Sequence, residues 1–147
     1  MTRTRAGNNA MDKCKITQRA LGAVTILDLD GELRAGGSRG AFREALGRLS
    51  GVGRNQILLN LTGLTAIDAS GLGELLRIGV ELNRGGGQLK LLRPARALRE
   101  MMSIAGLLSV FDIYETESEA VAGFAKPVLN HEGQLLSYEY ARYETHP

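Results

Sequence analysis

Short apolar runs alternate with segments of helical periodicity through most of the chain. Residues 56–61 are apolar at nearly every position and are bounded by Asn55 and Gly63, which indicates a strand that is buried on both faces. From residue 72 to residue 82, apolar side chains recur at intervals of three and four, as in a helix with one buried face. The glycines at 85–87 then end this helix. The centre of the chain is therefore predicted to be a strand followed directly by a helix.

The flanking segments repeat these two patterns. Residues 15–21 and 24–29 predict two strands joined by a tight turn at Gly22, that is, a hairpin whose second strand ends at Gly31. The other predicted elements are a helix capped by Ser38 with Ala41, Phe42, Ala45, Leu46 and Leu49 on its buried face, a strand at 89–92, a helix that buries Leu98, Met101, Met102 and Ala105, a strand at 110–114, and a helix from a capping box at 116–119 to Phe124. The order β-β-α-β-α-β-α-β-α predicts an α/β domain with a mixed, mostly parallel sheet after the N-terminal hairpin.

The chain of 147 residues has the length of a single domain. Residues 1–11 are polar and are expected to be a disordered tail, whereas residues 12–126 form the folded domain. In the extension at 127–147, Leu136, Tyr138 and Tyr140 alternate with smaller or polar residues. This alternation suits an edge strand that pairs within the domain or with another copy in a homodimer. A loosely ordered terminus is the equal alternative.

Composition narrows the class of protein. Hydrophobic residues make up 44% and charged residues 23% of the chain, as in ordinary globular proteins. There is no run of ~18 apolar residues and no apolar leader segment, so we expect a cytoplasmic protein without a membrane partner. The net charge is +2, but acidic and basic residues are interspersed and aromatic residues are only 5%. Direct nucleic-acid binding is therefore not expected.

The turn between the central strand and helix holds a single hydroxyl, Ser70, with Asp68 two residues before it and Gly71 and Gly73 after it. The first N–H groups of a helix lack internal partners and carry the positive end of its dipole, so this turn can accept negative charge. The glycines would leave Ser70 open to another molecule. Asp68 would cap the helix, orient Ser70, or help to position a metal and phosphate of a partner. On spacing alone, a plain helix cap on a glycine-shaped turn is the favoured interpretation.

Catalysis is not expected. Both histidines, His131 and His146, lie in the C-terminal extension, and the segment around Ser70 does not match the hydrolase elbow Gly-x-Ser-x-Gly. Phosphate-binding and dinucleotide-binding glycine motifs are missing. Glu32, Asp68 and Glu74 are too scattered in the sequence to predict paired-carboxylate chemistry or a metal site. The sequence therefore predicts a protein that is not an enzyme and has no cofactor or metal.

One stretch resembles a known family. The motif is Asp68-Ala69-Ser70-Gly71-Leu72-Gly73, preceded by Leu58-Leu59-Asn60-Leu61 and followed by Leu75-Leu76, with further similarity at Gly31-Glu32-Leu33 and from Gly106 to Tyr114. It resembles the signature of STAS domains, and specifically of bacterial anti-sigma factor antagonists. The resemblance covers residues 15–124 and implies helices packed mainly on one face of the sheet.

The resemblance also implies a function. In these antagonists the hydroxyl residue directly before the glycine is phosphorylated by a partner that is both an anti-sigma factor and a serine kinase with an ATPase-like fold, and a phosphatase removes the phosphate. By position, the phosphorylated residue is Ser70. The partner-binding residues would be Glu32, Arg34, Asp68, Ala69, Ser70, Gly71, Leu72 and Gly73.

Three residues depart from the family pattern. Ala69 replaces a usual hydroxyl, Asn60 replaces a usual aspartate, and Arg34 stands where an acidic residue is frequent. Ala69 leaves Ser70 as the single candidate phosphate acceptor, whereas Asn60 and Arg34 bear on the identity of the partner. The alternative function is a structural or ligand-sensing STAS module of a larger signalling or transporter assembly, in which Ser70 is never phosphorylated.

Overall fold

The computed structural model describes residues 3–6, 14–34, 38–124 and 126–139. The strands are β1 (Arg3–Ala6), β2 (Cys14–Leu21), β3 (Val24–Leu33), β4 (Gln56–Ile67), β5 (Gln88–Leu92), β6 (Asp112–Tyr114), β7 (Lys126–Leu129) and β8 (Leu135–Glu139). The helices are α1 (Ser38–Gly51), α2 (Ala69–Arg84), α3 (Arg96–Ile104) and α4 (Glu117–Ala122). The α/β class predicted from the alternating patterns is confirmed.

Six strands form one mixed sheet in the order β1-β2-β3-β4-β5-β6. The pairs β1–β2 and β2–β3 are antiparallel, and the pairs from β3 to β6 are parallel. The predicted hairpin and the parallel strands after it are therefore confirmed. The expectation that residues 1–11 are disordered is wrong for Arg3–Ala6, because this segment pairs with β2; the remaining residues of that tail lie outside the described part of the chain.

Strands β3 and β4 continue past the glycines that were predicted to end them. β3 continues through Gly31 to Leu33, and β4 continues through Gly63 to Ile67. The β3–β4 register shifts on both sides of Asp30 and Gly31, so the glycines mark irregularities in a continuous ladder. At Gly63 a Cβ atom would lie 2.9 Å from the side-chain Cγ of Asp30. Glycine here permits close approach of the neighbouring strand and does not end the strand.

The two faces of the sheet are covered unequally. The larger core lies between the sheet and helices α1, α2 and α3, and its buried residues include Leu27, Leu29, Phe42, Ala45, Ile57, Leu59, Leu75, Ile78, Leu98 and Met102. The smaller core, on the opposite face, consists of Val24, Ile26, Leu58, Leu92, Ala120 and Phe124 and includes α4. Three of the four described helices therefore share one face, as the family resemblance implied.

The remaining differences concern element ends. In α3 the predicted buried face holds for Leu98 and Met102, whereas Ala105 lies beyond the helix and is exposed. The predicted cap of α4 by Thr116 is confirmed, since its hydroxyl oxygen accepts a hydrogen bond from the Glu119 N–H at 3.2 Å, while the Glu119 side chain contacts the Thr116 hydroxyl at 2.8 Å. The predicted strand in the C-terminal extension exists as β8, but it pairs with β7 in a separate two-stranded sheet and adds no edge to the main sheet.

Candidate functional site

The start of α2 is fixed by a side-chain cap. Asp68 follows β4 directly and has extended backbone angles, and its Oδ1 accepts a hydrogen bond from the Gly71 N–H at 2.9 Å. Its own N–H lies 3.4 Å from the carbonyl oxygen of Leu33 on β3. Such caps satisfy one of the free N–H groups at a helix start and typically stabilise by ~1 kcal/mol. Asp68 therefore links the helix start to both central strands.

Gly71 brings this helix start into close contact with β3. A Cβ atom at this position would lie 2.7 Å from Ile67 Cγ1 and still closer to the Leu33 carbonyl oxygen. The prediction that Gly71 keeps Ser70 open to other molecules is thus wrong, because Gly71 is buried against its own sheet. Gly73 is different: it is exposed, and a Cβ there would meet nothing within 4 Å. At position 73, therefore, the outer surface of the helix carries no side chain.

Ser70 lies in the first turn of α2, two residues after the cap residue, and is half-buried. Among the described residues, its hydroxyl has no hydrogen-bond partner. The prediction placed Ser70 between strand and helix, whereas the structure places it inside the helix start. The hydroxyl is thus held on a rigid element at the carboxyl end of β4, the end of a parallel sheet where binding sites form.

The end of β3 lies beside this helix start. Glu32 pairs with Ala66 of β4, and Leu33 pairs with Ile67, the residue directly before Asp68. Beyond them Arg34 is exposed, and its Nη1 lies 4.0 Å from Glu32 Oε1. A solvent-exposed pair of this kind adds little stability.

The predicted partner-binding residues divide into three groups by burial. Ala69, Gly73 and Arg34 are exposed, while Ser70, Asp68 and Glu32 are half-buried. Gly71 and Leu72 are buried, and Leu72 packs into the larger core. Buried side chains shape the site from beneath and present no surface to a second protein.

An ion cluster around the buried Glu74, one turn further along α2, was not predicted from the sequence. Glu74 is almost fully buried, and its carboxylate accepts hydrogen bonds from Arg43 of α1 at 3.1 and 3.2 Å and a short one from Arg77. Arg77 also donates to Glu81 at 2.6 Å. Burial raises the pKa of the Glu74 carboxyl, but the hydrogen bonds from Arg77 and Arg43 outweigh burial and leave that pKa below its usual value. Glu74 therefore stays ionised at neutral pH.

Sequence signals for this cluster were only partial. The spacing of Glu74, Arg77 and Glu81 by three and four residues is that of neighbours on a helix surface. The contribution of Arg43 depends on the packing of α1 against α2, and the two residues are separated by 31 positions. No local pattern could have revealed that contact.

A second polar network lies on the opposite face of the sheet. Arg19 of β2 is buried and donates to Asp28 at 2.7 and 3.0 Å and to Glu117 of α4 at 2.5 and 3.0 Å. Its bonds to the Asp28 and Glu117 carboxylates raise the pKa of Arg19 further above its already high value. Asn60, where the family usually has aspartate, donates to Asp28 Oδ1 at 2.7 Å. An ionised aspartate at position 60 would instead repel Asp28, so the asparagine suits this network.

Two structural features bear on cofactors and membranes. Within the described ranges, no group of three or more histidine, cysteine, aspartate or glutamate residues is arranged to hold a metal ion. The carboxylates of Asp68 and Glu74 are engaged in the helix cap and the arginine cluster. Among the helices that the structure describes, none is long and apolar enough to cross a membrane.

Comparisons with known proteins agree with this fold and motif. An anti-sigma factor antagonist homologue of Thermotoga neapolitana, whose role is itself a proposed one, is 35% identical over 69 residues, which are 47% of this chain and 61% of that protein. A crystal structure of a Thermotoga maritima protein proposed to be an anti-sigma factor antagonist matches with a TM-score of 0.67 and 26% identity, over 72% of this chain and 91% of that one. The phosphorylated form of the Bacillus cell fate determinant SpoIIAA has the same fold, with a TM-score of 0.59 and 24% identity over 74% and 97% of the two chains. The sequence profile of the STAS domain matches residues 15–120. Since this match spans most of the chain and contains nearly all of β2, strands β3 to β6 and the capped helix α2, the chain belongs to the STAS domain family.

Proposed function

We propose that this protein is an anti-sigma factor antagonist that is switched by phosphorylation at Ser70. In the unmodified state it binds an anti-sigma factor that is also a serine kinase, and it thereby releases a sigma factor. The kinase transfers the γ-phosphoryl group of ATP to the Ser70 oxygen, with loss of the hydroxyl proton and formation of ADP. The phosphorylated protein then dissociates, and a phosphatase restores the hydroxyl.

One observation carries the proposal: a half-buried serine hydroxyl without a hydrogen-bond partner among the described residues, set in the first turn of a capped helix. Around it, Ala69, Gly73 and Arg34 are exposed, and none of them has a bulky apolar side chain that packs into the core. A kinase can approach such a hydroxyl without unfolding its substrate. Relatives of this chain that are named as anti-sigma factor antagonists support the assignment.

The switch is electrostatic. A phosphoserine carries about −1.5 to −2 charges at neutral pH. At the N-terminal end of a helix such a charge is tolerated by the domain that carries it. A carboxylate of the partner ~5 Å away would be repelled by about 3 kcal/mol for each unit charge at an effective dielectric of ~20. Such a penalty lowers affinity by about 100-fold, which is enough to separate a bound from a released state.

A phosphorylation assay tests the proposal. The purified protein is incubated with ATP and cytosolic extract of its source organism, or with a purified anti-sigma factor kinase, and its intact mass is followed. We expect addition of one phosphate, which is lost in Ser70→Ala. Ser103→Ala is the matched control, because Ser103 is an exposed serine on a different helix, α3. If the protein stays unmodified with the kinase that it binds, or if Ser70→Ala is phosphorylated as readily as the parent, the proposal is wrong and a non-phosphorylated STAS module becomes the better assignment.

A further inference from the structure

One flank of α2 carries both Ser70 and the ion cluster around Glu74. Ser70, Glu74, Arg77 and Glu81 follow one another at intervals of four, three and four residues, and such positions form a single stripe along a helix. Arg43 of α1 contacts this stripe at Glu74. The stripe therefore faces α1, and Ser70 lies on the same flank one turn before Glu74.

Helices α1 and α2 connect β3 to β4 and β4 to β5, and because these three strands are parallel, the two helices run in the same direction. Arg43 pairs with Glu74, and the groove between the helices is continued by Leu46 and Gly47 of α1 and by Ile78 and Leu82 of α2. Helix side chains lean toward the N-terminus of their own helix. We therefore expect the side chain of Arg43 to lean toward the N-terminal end of α2, where Ser70 lies.

Arg43 has unused hydrogen-bonding capacity. Its Nε and Nη2 donate to Glu74, and among the described residues Nη1 has no partner. The Arg43 side chain is 56% exposed, whereas that of Glu74 is 3% exposed. A guanidinium group has five N–H donors in a planar fork, so the outer edge of this one faces solvent while its inner edge holds Glu74.

We propose that Arg43 binds the phosphate of phosphorylated Ser70, so that modification ties α1 to the first turn of α2. This inference rests on the proposed phosphorylation of Ser70 and adds the residue that receives the phosphate. Arg43 keeps its inner bonds to Glu74 and donates from its outer edge to phosphate oxygens. Arginine and phosphate form strong, often bidentate, charge-assisted hydrogen bonds.

The charges of the cluster support this arrangement. Side chains four residues apart on a helix have Cβ atoms ~5–6 Å apart, so a phosphate on Ser70 lies near the Glu74 carboxylate and would be repelled by it. Arg77 is shared between Glu74 and Glu81, whereas Arg43 is paired, within the described part of the chain, with Glu74 alone. Arg43 is thus the arginine of this neutral cluster with fewer carboxylate partners, and its guanidinium, placed between the phosphate and Glu74, offsets their repulsion.

The second ionisation of the phosphoserine measures this contact directly. Phosphoserine is installed at position 70 during translation with an expanded genetic code, so that no kinase is needed, and its pKa is followed by ³¹P NMR titration. A free phosphoserine titrates with a pKa of ~6. We expect a lower value in the parent, because an opposite charge within ~4–6 Å favours the dianion. Arg43→Gln should raise the pKa by about half a pH unit or more.

Matched variants make the result decisive. Arg48→Gln removes an exposed arginine of the same helix that pairs with Glu44, and it should leave the phosphate pKa unchanged. Arg43→Lys keeps a charge but lacks the planar fork, so its phosphate should titrate between the parent and Arg43→Gln. If the phosphate in Arg43→Gln titrates as in the parent and in Arg48→Gln, the inference is overturned. This outcome is independent of whether a kinase modifies Ser70, which the phosphorylation assay decides separately.

Discussion

The contact of Gly71 with β3 gives the sharpest test of how the site is built. In Gly71→Ala the new Cβ would start 2.7 Å from Ile67 Cγ1 and closer still to the Leu33 carbonyl oxygen. Ordinary carbon contacts are ~3.5–4.0 Å, so the helix start must move by roughly 1 Å. Overpacking of this kind costs about 1–3 kcal/mol, toward the upper end when the neighbour is backbone. The better helix propensity of alanine returns at most ~1 kcal/mol, which leaves a net loss of about 2 kcal/mol.

Gly73→Ala is the matched control, since a Cβ at position 73 of the same helix meets nothing within 4 Å. It should be neutral or stabilising by up to ~1 kcal/mol. Urea denaturation of both variants, with the m-value checked against the parent, measures the difference. In a thermal melt the two variants should differ by roughly 5 to 10 °C for a chain of this size. Equal stability of the two would show that the helix start does not press against β3.

Three further predictions concern the polar contacts. Asp68→Ala should lower the unfolding free energy by ~1 kcal/mol through loss of the cap, with Asp68→Asn near the parent in the same urea assay. Because the pKa of Glu74 is lowered on folding, its stabilising contribution is present above the unfolded value of 4.5 and is lost as the pH falls below it. Glu74→Gln should therefore flatten the acid limb of the stability–pH profile. An unchanged acid limb would contradict the ion pairing of Glu74 with Arg43 and Arg77. Arg19→Met should cost about 3 kcal/mol in the same urea assay, since Asp28 and Glu117 would be left facing each other without their shared cation.

Sequence patterns found the elements whose signals are local. The apolar run at 56–61 marked β4, and the spacing from Leu72 to Leu82 marked α2, because burial on two faces or on one face leaves a periodic trace. Ser70 was located by the same reasoning, since it falls where the period changes. The motif around it then supplied the family.

Features that depend on neighbours in space were missed or misjudged. Gly63 was predicted to end the strand, but the structure shows that a Cβ atom there would clash with Asp30 on the adjacent strand. β1 has a polar sequence, and only its pairing with β2 makes it a strand. Gly71 was assigned to the outer surface, whereas its role is set by the Leu33 carbonyl beneath it. Each of these depends on a partner far away in the sequence, which periodicity cannot identify.

Affinity of the anti-sigma factor kinase for two forms of this protein tests the central claim most directly. Isothermal titration would compare the unmodified chain with the chain that carries phosphoserine at position 70. Repulsion of about 3 kcal/mol for each unit charge of the phosphate predicts that Kd rises by at least about 100-fold on modification, and Ser70→Ala should bind like the unmodified protein. Equal affinity of the two forms would show that the charge at Ser70 does not control the complex.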